Sequence, residues 1–173
     1  ARIVASRVPE VRFLAPLLTR DTRDRFARAV FEAEQGGATR ITIMIGHSHQ
    51  AMIAADVVLL ASGTAALEAA LLKRPMVVAY RISKWSFRIL KRLMYLPWVS
   101  LPNILMRQTL VPELLQDECE PEKLADAVCH WLLDGDARNT LIARFDALHQ
   151  DLARDNARLA AEVVLSFLRQ GHA

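Results

Sequence analysis

The stretch LLASGTAALEAALLKRPMVVAY, Leu59 to Tyr80, decides the fold. Its two ends are short apolar runs that read as buried strands. Between them Ser62-Gly63-Thr64 forms a turn of small residues, and residues 64–73 read as a short helix. A strand that passes directly into a helix and then into another strand is the repeating unit of a parallel sheet.

The same alternation continues toward the N-terminus. Residues 1–8 read as the tail of a helix ending near Pro9, and Glu10–Leu18 as a strand with its exit loop. Thr19–Gln35 carries a helical stripe with Phe26 and Val30, stopped by Gly36-Gly37. Ile41–Ile45 is a β-branched strand ending at Gly46, and Ser48–Ala55 a short helix for which Ser48 is a good N-cap. Asp56–Ala61 and Pro75–Tyr80 complete the strands. Near-continuous apolar strands predict a parallel sheet covered on both faces, so the fold class is α/β, Rossmann-like and doubly wound. Beyond Tyr80, Val99–Leu105 is irregular around Pro102, one helix starts after Pro121, and two more span Asp136–Leu152 and about Asn156–Gln170.

Bulk properties narrow the class. The chain has 173 residues, 53% hydrophobic and 24% charged, enough to bury a full core. A net charge of +3 is mildly basic and reads first as a solvated surface. Cys119 and Cys129 lack CxxC spacing and clustered histidines, which argues against a disulfide framework or a zinc site and fits a reducing cytosol. No apolar run reaches 18 residues, and no signal peptide is visible. His47 and His49, two apart in a loop, are not expected to bind metal.

Ser62-Gly63-Thr64 lies at the carboxyl end of a strand, where doubly wound sheets bind ligands, and at a helix N-terminus, where free N–H groups and the dipole favour an anion. Gly63 allows a close backbone approach, and the Ser62 and Thr64 hydroxyls add donors. Glu68 follows one turn later on the same face, where a carboxylate can accept from a vicinal diol such as a ribose. The plainer reading is an N-cap with a solvated carboxylate. The stretch is neither GxGxxG nor a P-loop.

Ala61–Arg81 (ASGTAALEAALLKRPMVVAYR), Val99–Leu105 (VSLPNIL) and Leu110–Ala125 (LVPELLQDECEPEKLA), with Val11–Leu17 and Met52–Ala65, resemble the C-terminal half of lipid-A-disaccharide synthase in one collinear order. The resemblance implies an inverting glycosyltransferase of GT-B architecture. Such enzymes transfer 2,3-diacylglucosamine from UDP-2,3-diacylglucosamine to 2,3-diacylglucosamine 1-phosphate (lipid X), without a cofactor. It implies that Ser62, Gly63 and Thr64 contact the UDP diphosphate and that Glu68 holds the ribose. General GT-B geometry puts the Gly46–Gln50 loop, with Gly46 and His47, near the uracil. Asn103, Glu113 and Gln116 fall in the family motifs and are possible site-lining residues. From its own setting Asn103 can equally face a ligand or cap local backbone, and Glu113 and Gln116 near a helix start can simply cap it. The acceptor site and the general base belong to an N-terminal half outside this sequence, so the catalytic residues stay unknown and this piece is expected to be inactive alone.

Arg81–Trp98 is basic and aromatic. On a helix Lys84, Arg88, Lys91 and Arg92 form one cationic face beside Trp85. A core-packed helix with a solvated basic edge is the plainer reading. The resemblance favours a membrane-facing one, because both substrates carry acyl chains. No nucleic-acid motif accompanies the segment. The resemblance thus implies peripheral association with the cytoplasmic side of a Gram-negative inner membrane, and a homodimer.

Phe145, Leu148, Leu152, Leu159, Val163 and Phe167 make an apolar stripe expected to be buried. The organisation expected is a nucleotide-sugar-binding domain over 1–135 and C-terminal helices over 136–173 that pack across a domain or subunit boundary. Two alternatives remain at this point. One is another GT-B UDP-sugar enzyme, of the peptidoglycan glycosyltransferase or 2-epimerase type. The other is a non-catalytic nucleotide-binding module.

Overall fold

The computed structural model describes residues 1–33, 40–61, 63–93, 95–153, 161 and 164–167, with backbone alone at 84, 89–91 and 93. The elements run α1 (Arg2–Arg7), β1 (Phe13–Leu17), α2 (Arg20–Ala33), β2 (Ile41–Ile45), α3 (Ser48–Ala54), β3 (Val58–Leu60), α4 (Gly63–Leu71) and β4 (Met76–Tyr80). They continue with α5 (Lys84–Leu93), α6 (Leu101–Met106), β5 (Glu113–Leu115), a 3₁₀ turn (Gln116–Glu118), α7 (Pro121–Leu133) and α8 (Gly135–Leu152). Gly36-Gly37, the expected stop of α2, lies outside the described residues.

The class is α/β, and among the described residues all strand pairing is parallel. The ladder is divided in two: β1 pairs with β2, and β3, β4 and β5 pair in that order. α3 packs against β1. β4 is the central strand of its sheet, and Met76, Val77 and Val78 are buried there, as an apolar run covered on both faces requires.

The main core joins α4, β4, α7 and α8. Ala66, Ala69 and Ala70 of α4 have no exposed surface. Their small side chains let neighbouring backbone lie close, at no cost in helix propensity. Trp131 of α7 and Leu141, Phe145 and Leu148 of α8 fill the rest. The Trp131 indole N–H donates to the Met76 carbonyl at 3.1 Å, so its polar edge is satisfied inside an apolar layer. At the far end of α4, Lys73 adopts φ 61° and its Nζ donates to the Phe145 carbonyl at 2.9 Å, tying α4 to α8. A smaller cluster sets Val4 of α1 against Ala125 and Cys129 of α7, with the exposed Arg7–Asp126 ion pair at its edge. Asp126 raises the Arg7 guanidinium pKa by accepting its hydrogen bond.

Four local expectations are corrected. Residues 99–105 are not irregular, because α6 begins at Leu101 and Pro102 sits in its first turn, where a missing N–H costs nothing. β5 is an additional strand, and Glu113 is its first residue, with the 3₁₀ turn starting at Gln116 directly after it. Ser48 is the first residue of α3, while His47 takes the N-cap position in a left-handed conformation, φ 58°. The apolar stripe is buried only in part. Phe145 and Leu148 are interior, but Leu152 is 37% and Phe167 69% exposed, and Leu159 and Val163 lie outside the described residues. α8 contributes to the same core as β4. No helix among the described residues is long and apolar enough to cross a membrane.

Candidate functional site

α4 starts where β3 ends, at the carboxyl edge of the parallel sheet. The first turn of an α-helix has backbone N–H groups without intrahelical partners and carries the positive end of the helix dipole. Ser62 lies outside the described residues. Thr64 is exposed at this end. A Cβ on Gly63 would stand 3.2 Å from the Val99 carbonyl oxygen. Glycine is therefore matched here to the approach of the chain's own backbone, which runs alongside the helix start.

The Val99 segment is held from below by Glu113. Its Oε2 accepts from the Val99 N–H at 2.8 Å. Its Oε1 accepts from the Ser100 N–H at 2.9 Å, the Ser100 hydroxyl at 2.6 Å and the Asn103 amide at 2.8 Å. Ser100 and Asn103 are fully buried. The Asn103 amide also donates to the Val111 carbonyl at 2.9 Å, and its oxygen accepts from Leu110 and Val111 at 2.8 and 3.0 Å. Both donors and both acceptor positions of that amide are thus occupied. Of the two readings open for Asn103, backbone capping is the one the structure adopts. Glu113 is likewise a tie between β5 and the approach to α6. Gln116, at φ 53°, pairs with both backbone groups of Ile82 at 2.7 and 2.9 Å and so clamps the entry to α5.

On the other side of α4, Glu68 meets α3. His49 Nδ1–H donates to Glu68 Oε1 at 2.7 Å, with both side chains about half exposed. The turn before α3 makes this meeting possible. Gly46 at φ 70° and His47 at φ 58° are consecutive left-handed residues that swing the chain from β2 into α3. Glycine takes that conformation freely, whereas His47 carries a modest strain. His49 is the residue that sequence reading passed over. The sequence places it in the Gly46–Gln50 loop but does not pair it with Glu68, because a separation of 19 residues carries no local signal. No group of three or more His, Cys, Asp or Glu side chains that could hold a metal ion occurs among the described residues.

α5 presents Trp85, Arg88 and Arg92 to solvent. Trp85 is 75% exposed, and the Arg88 guanidinium stands 5.5 Å from its ring centroid, a cation–π distance. Arg92 is exposed, and Tyr95 and Leu96 extend the exposed surface past the helix. The side chains of Lys84 and Lys91 lie outside the description.

The family model for lipid-A-disaccharide synthetase matches residues 1–165. The chain belongs to the lipid-A-disaccharide synthetase family. Within it, the lipid-A-disaccharide synthase of Aromatoleum aromaticum is 54% identical over 98% of this chain and 43% of its own length. That of an Azoarcus species is 52% identical over 97% of this chain and 43% of its own. The chain therefore spans somewhat under half the length of the curated relatives it matches. The crystal structure of CalG4, the calicheamicin glycosyltransferase, aligns over 95% of this chain and 45% of that one, with a TM-score of 0.49 and 17% identity, a likeness too slight to bear on function.

Proposed function

We propose that this chain is the UDP-sugar-binding half of a lipid A disaccharide-forming glycosyltransferase. The observation that carries the reading is the match of the family model to almost the whole chain, in which Gly63, exposed Thr64 and partly exposed Glu68 share the first two turns of α4. In this reading the α4 N-terminus, with Ser62, Gly63 and Thr64, holds the diphosphate and stabilises charge on the departing UDP. Glu68 accepts from the ribose hydroxyls. The Gly46–His47 turn lies toward the base. The transfer joins 2,3-diacylglucosamine from its UDP derivative to lipid X, and the base that deprotonates the acceptor comes from the rest of the polypeptide. Donor binding by this half needs no metal or cofactor in this reading, because the anion is met by the helix terminus.

Calorimetric titration of the complete protein with UDP tests this. Glu68→Ala is expected to weaken binding by on the order of 1.5–3 kcal/mol, the value of hydrogen bonds to a charged acceptor. Correctly folded protein that takes up no UDP would refute the donor-half assignment.

A peripheral membrane site on α5 completes the proposal. Exposed Trp85, Arg88 and Arg92 support it, since aromatic rings settle at headgroup depth while cations meet lipid phosphates. Changing Lys84, Arg88, Lys91 and Arg92 together to Glu is expected to abolish co-sedimentation with anionic liposomes at low salt, at about 1 kcal/mol per basic residue removed. Unchanged co-sedimentation would remove the membrane role. Exposed Val164, Leu165 and Phe167 support burial of the C-terminal helix against another domain or a second subunit, as in a homodimer.

A further inference from the structure

We infer that His49 is a positioning residue for Glu68, setting its carboxylate to recognise a ribose 2′,3′-diol. The inference rests on the donor-site reading and extends it to a residue on a different helix.

The geometry is specific. Glu68 leaves α4 on the face turned toward α3, and His49, the second residue of α3, meets it at 2.7 Å. A flexible glutamate half exposed to water would otherwise sample several rotamers, and ordering it on ligand binding would cost affinity. One charge-assisted hydrogen bond from a ring on a short side chain restricts it beforehand. The bond occupies one lone pair of Oε1. The second lone pair of Oε1 and both of Oε2 remain for a bidentate contact with two vicinal hydroxyls.

The route by which His49 reaches Glu68 is equally built. A chain leaving β2 in extended conformation would carry α3 onward. The left-handed pair Gly46 and His47 turns it, and α3 is held in place by buried Ala51 and by its contact with β1. The pair is therefore fixed by backbone on both sides. Its energetic worth to folding is small, because both partners are about half exposed. A contact that contributes little to stability but fixes one carboxylate beside a helix N-terminus is better explained by ligand recognition.

The test compares UDP with 2′-deoxy-UDP in calorimetric titrations of the complete protein. The wild type is expected to bind UDP about tenfold more tightly than the deoxy analogue, the worth of one charge-assisted hydrogen bond. His49→Ala is expected to reduce this preference to roughly threefold or less, while affinity for 2′-deoxy-UDP, which keeps only the 3′-hydroxyl, falls less than affinity for UDP. His49→Asn, whose amide can stand where Nδ1–H stood, is expected to restore much of the preference. Thermal unfolding should move little in either variant.

Outcomes separate the layers. If His49→Ala keeps the full preference, or weakens both nucleotides equally, the positioning role is overturned while the donor site stands. If the wild type binds both nucleotides equally, Glu68 does not read the ribose, and the inference falls with it. If the wild type binds neither, the donor-half assignment itself falls.

Discussion

Replacing Phe145 with alanine is expected to lower the melting temperature by roughly 10 °C, the result of about 4 kcal/mol of lost stability in a chain of this size. Phe145 has no exposed surface and packs with the alanines of α4, the valines of β4 and Leu141 and Leu148 of α8. Deleting the ring removes its transfer free energy and leaves a cavity. The alanine-lined side of α4 has no long side chains with which to fill it. The Phe145 carbonyl still accepts from Lys73 in the variant, so the loss reports packing and not the hydrogen bond. Leu133→Ala is a fitting control, since Leu133 is 67% exposed, and should shift the midpoint by less than about 1–2 °C. A thermal melt monitored by circular dichroism checks both. A shift for Phe145→Ala no larger than the control's would mean that α8 is not part of this core.

The second large effect is expected at Glu113. Glu113→Ala should cost about 3 kcal/mol, because four donors lose their acceptor where water has limited access. Val99 N–H, Ser100 N–H, the Ser100 hydroxyl and one Asn103 amide proton all end on this single carboxylate. Glu113→Gln should rescue only in part. Its amide keeps one oxygen for Ser100 and Asn103 but turns an NH₂ group toward the Val99 N–H, donor against donor. Hydrogen exchange offers the sharper readout. Val99 and Ser100 amides should be protected in the wild type and exchange far faster in Glu113→Ala. Unchanged protection at these two amides would show that something other than Glu113 holds the segment beside Gly63.

These two positions also mark how far local reading of the chain reaches. β4 and α4 were readable because their signals are local. An unbroken apolar run with β-branched residues fits a strand covered on both faces, and small residues after a strand end start a helix at once. The start of α7 at Pro121 and the span of α8 were readable in the same way. β5 was missed because three residues beginning with a glutamate carry neither alternation nor an apolar run. α6 was missed because Pro102 was taken as a breaker, whereas in the first turn of a helix it breaks nothing.

The site divides along the same line. That α4 begins at a strand's carboxyl end, with Thr64 and Glu68 one turn apart on it, is a matter of spacing along a helix and could be read directly. Which polar groups serve the site and which hold the frame could not. Asn103, Glu113 and Gln116 stand in motifs that invite a ligand role, yet their hydrogen bonds tie the 99–113 segment and the 82–116 contact together. His49 carried no motif and is the residue that touches Glu68. Element type, family and the small-residue stretch that opens α4 are set by residues within a few positions of one another, because period, caps and turns are short-range physics. The assignment of Glu68, Asn103, Glu113 and Gln116 depends on what the folded chain brings within hydrogen-bond distance from 7 to 34 residues away. That satisfaction is a property of tertiary packing, and only the folded structure decided it.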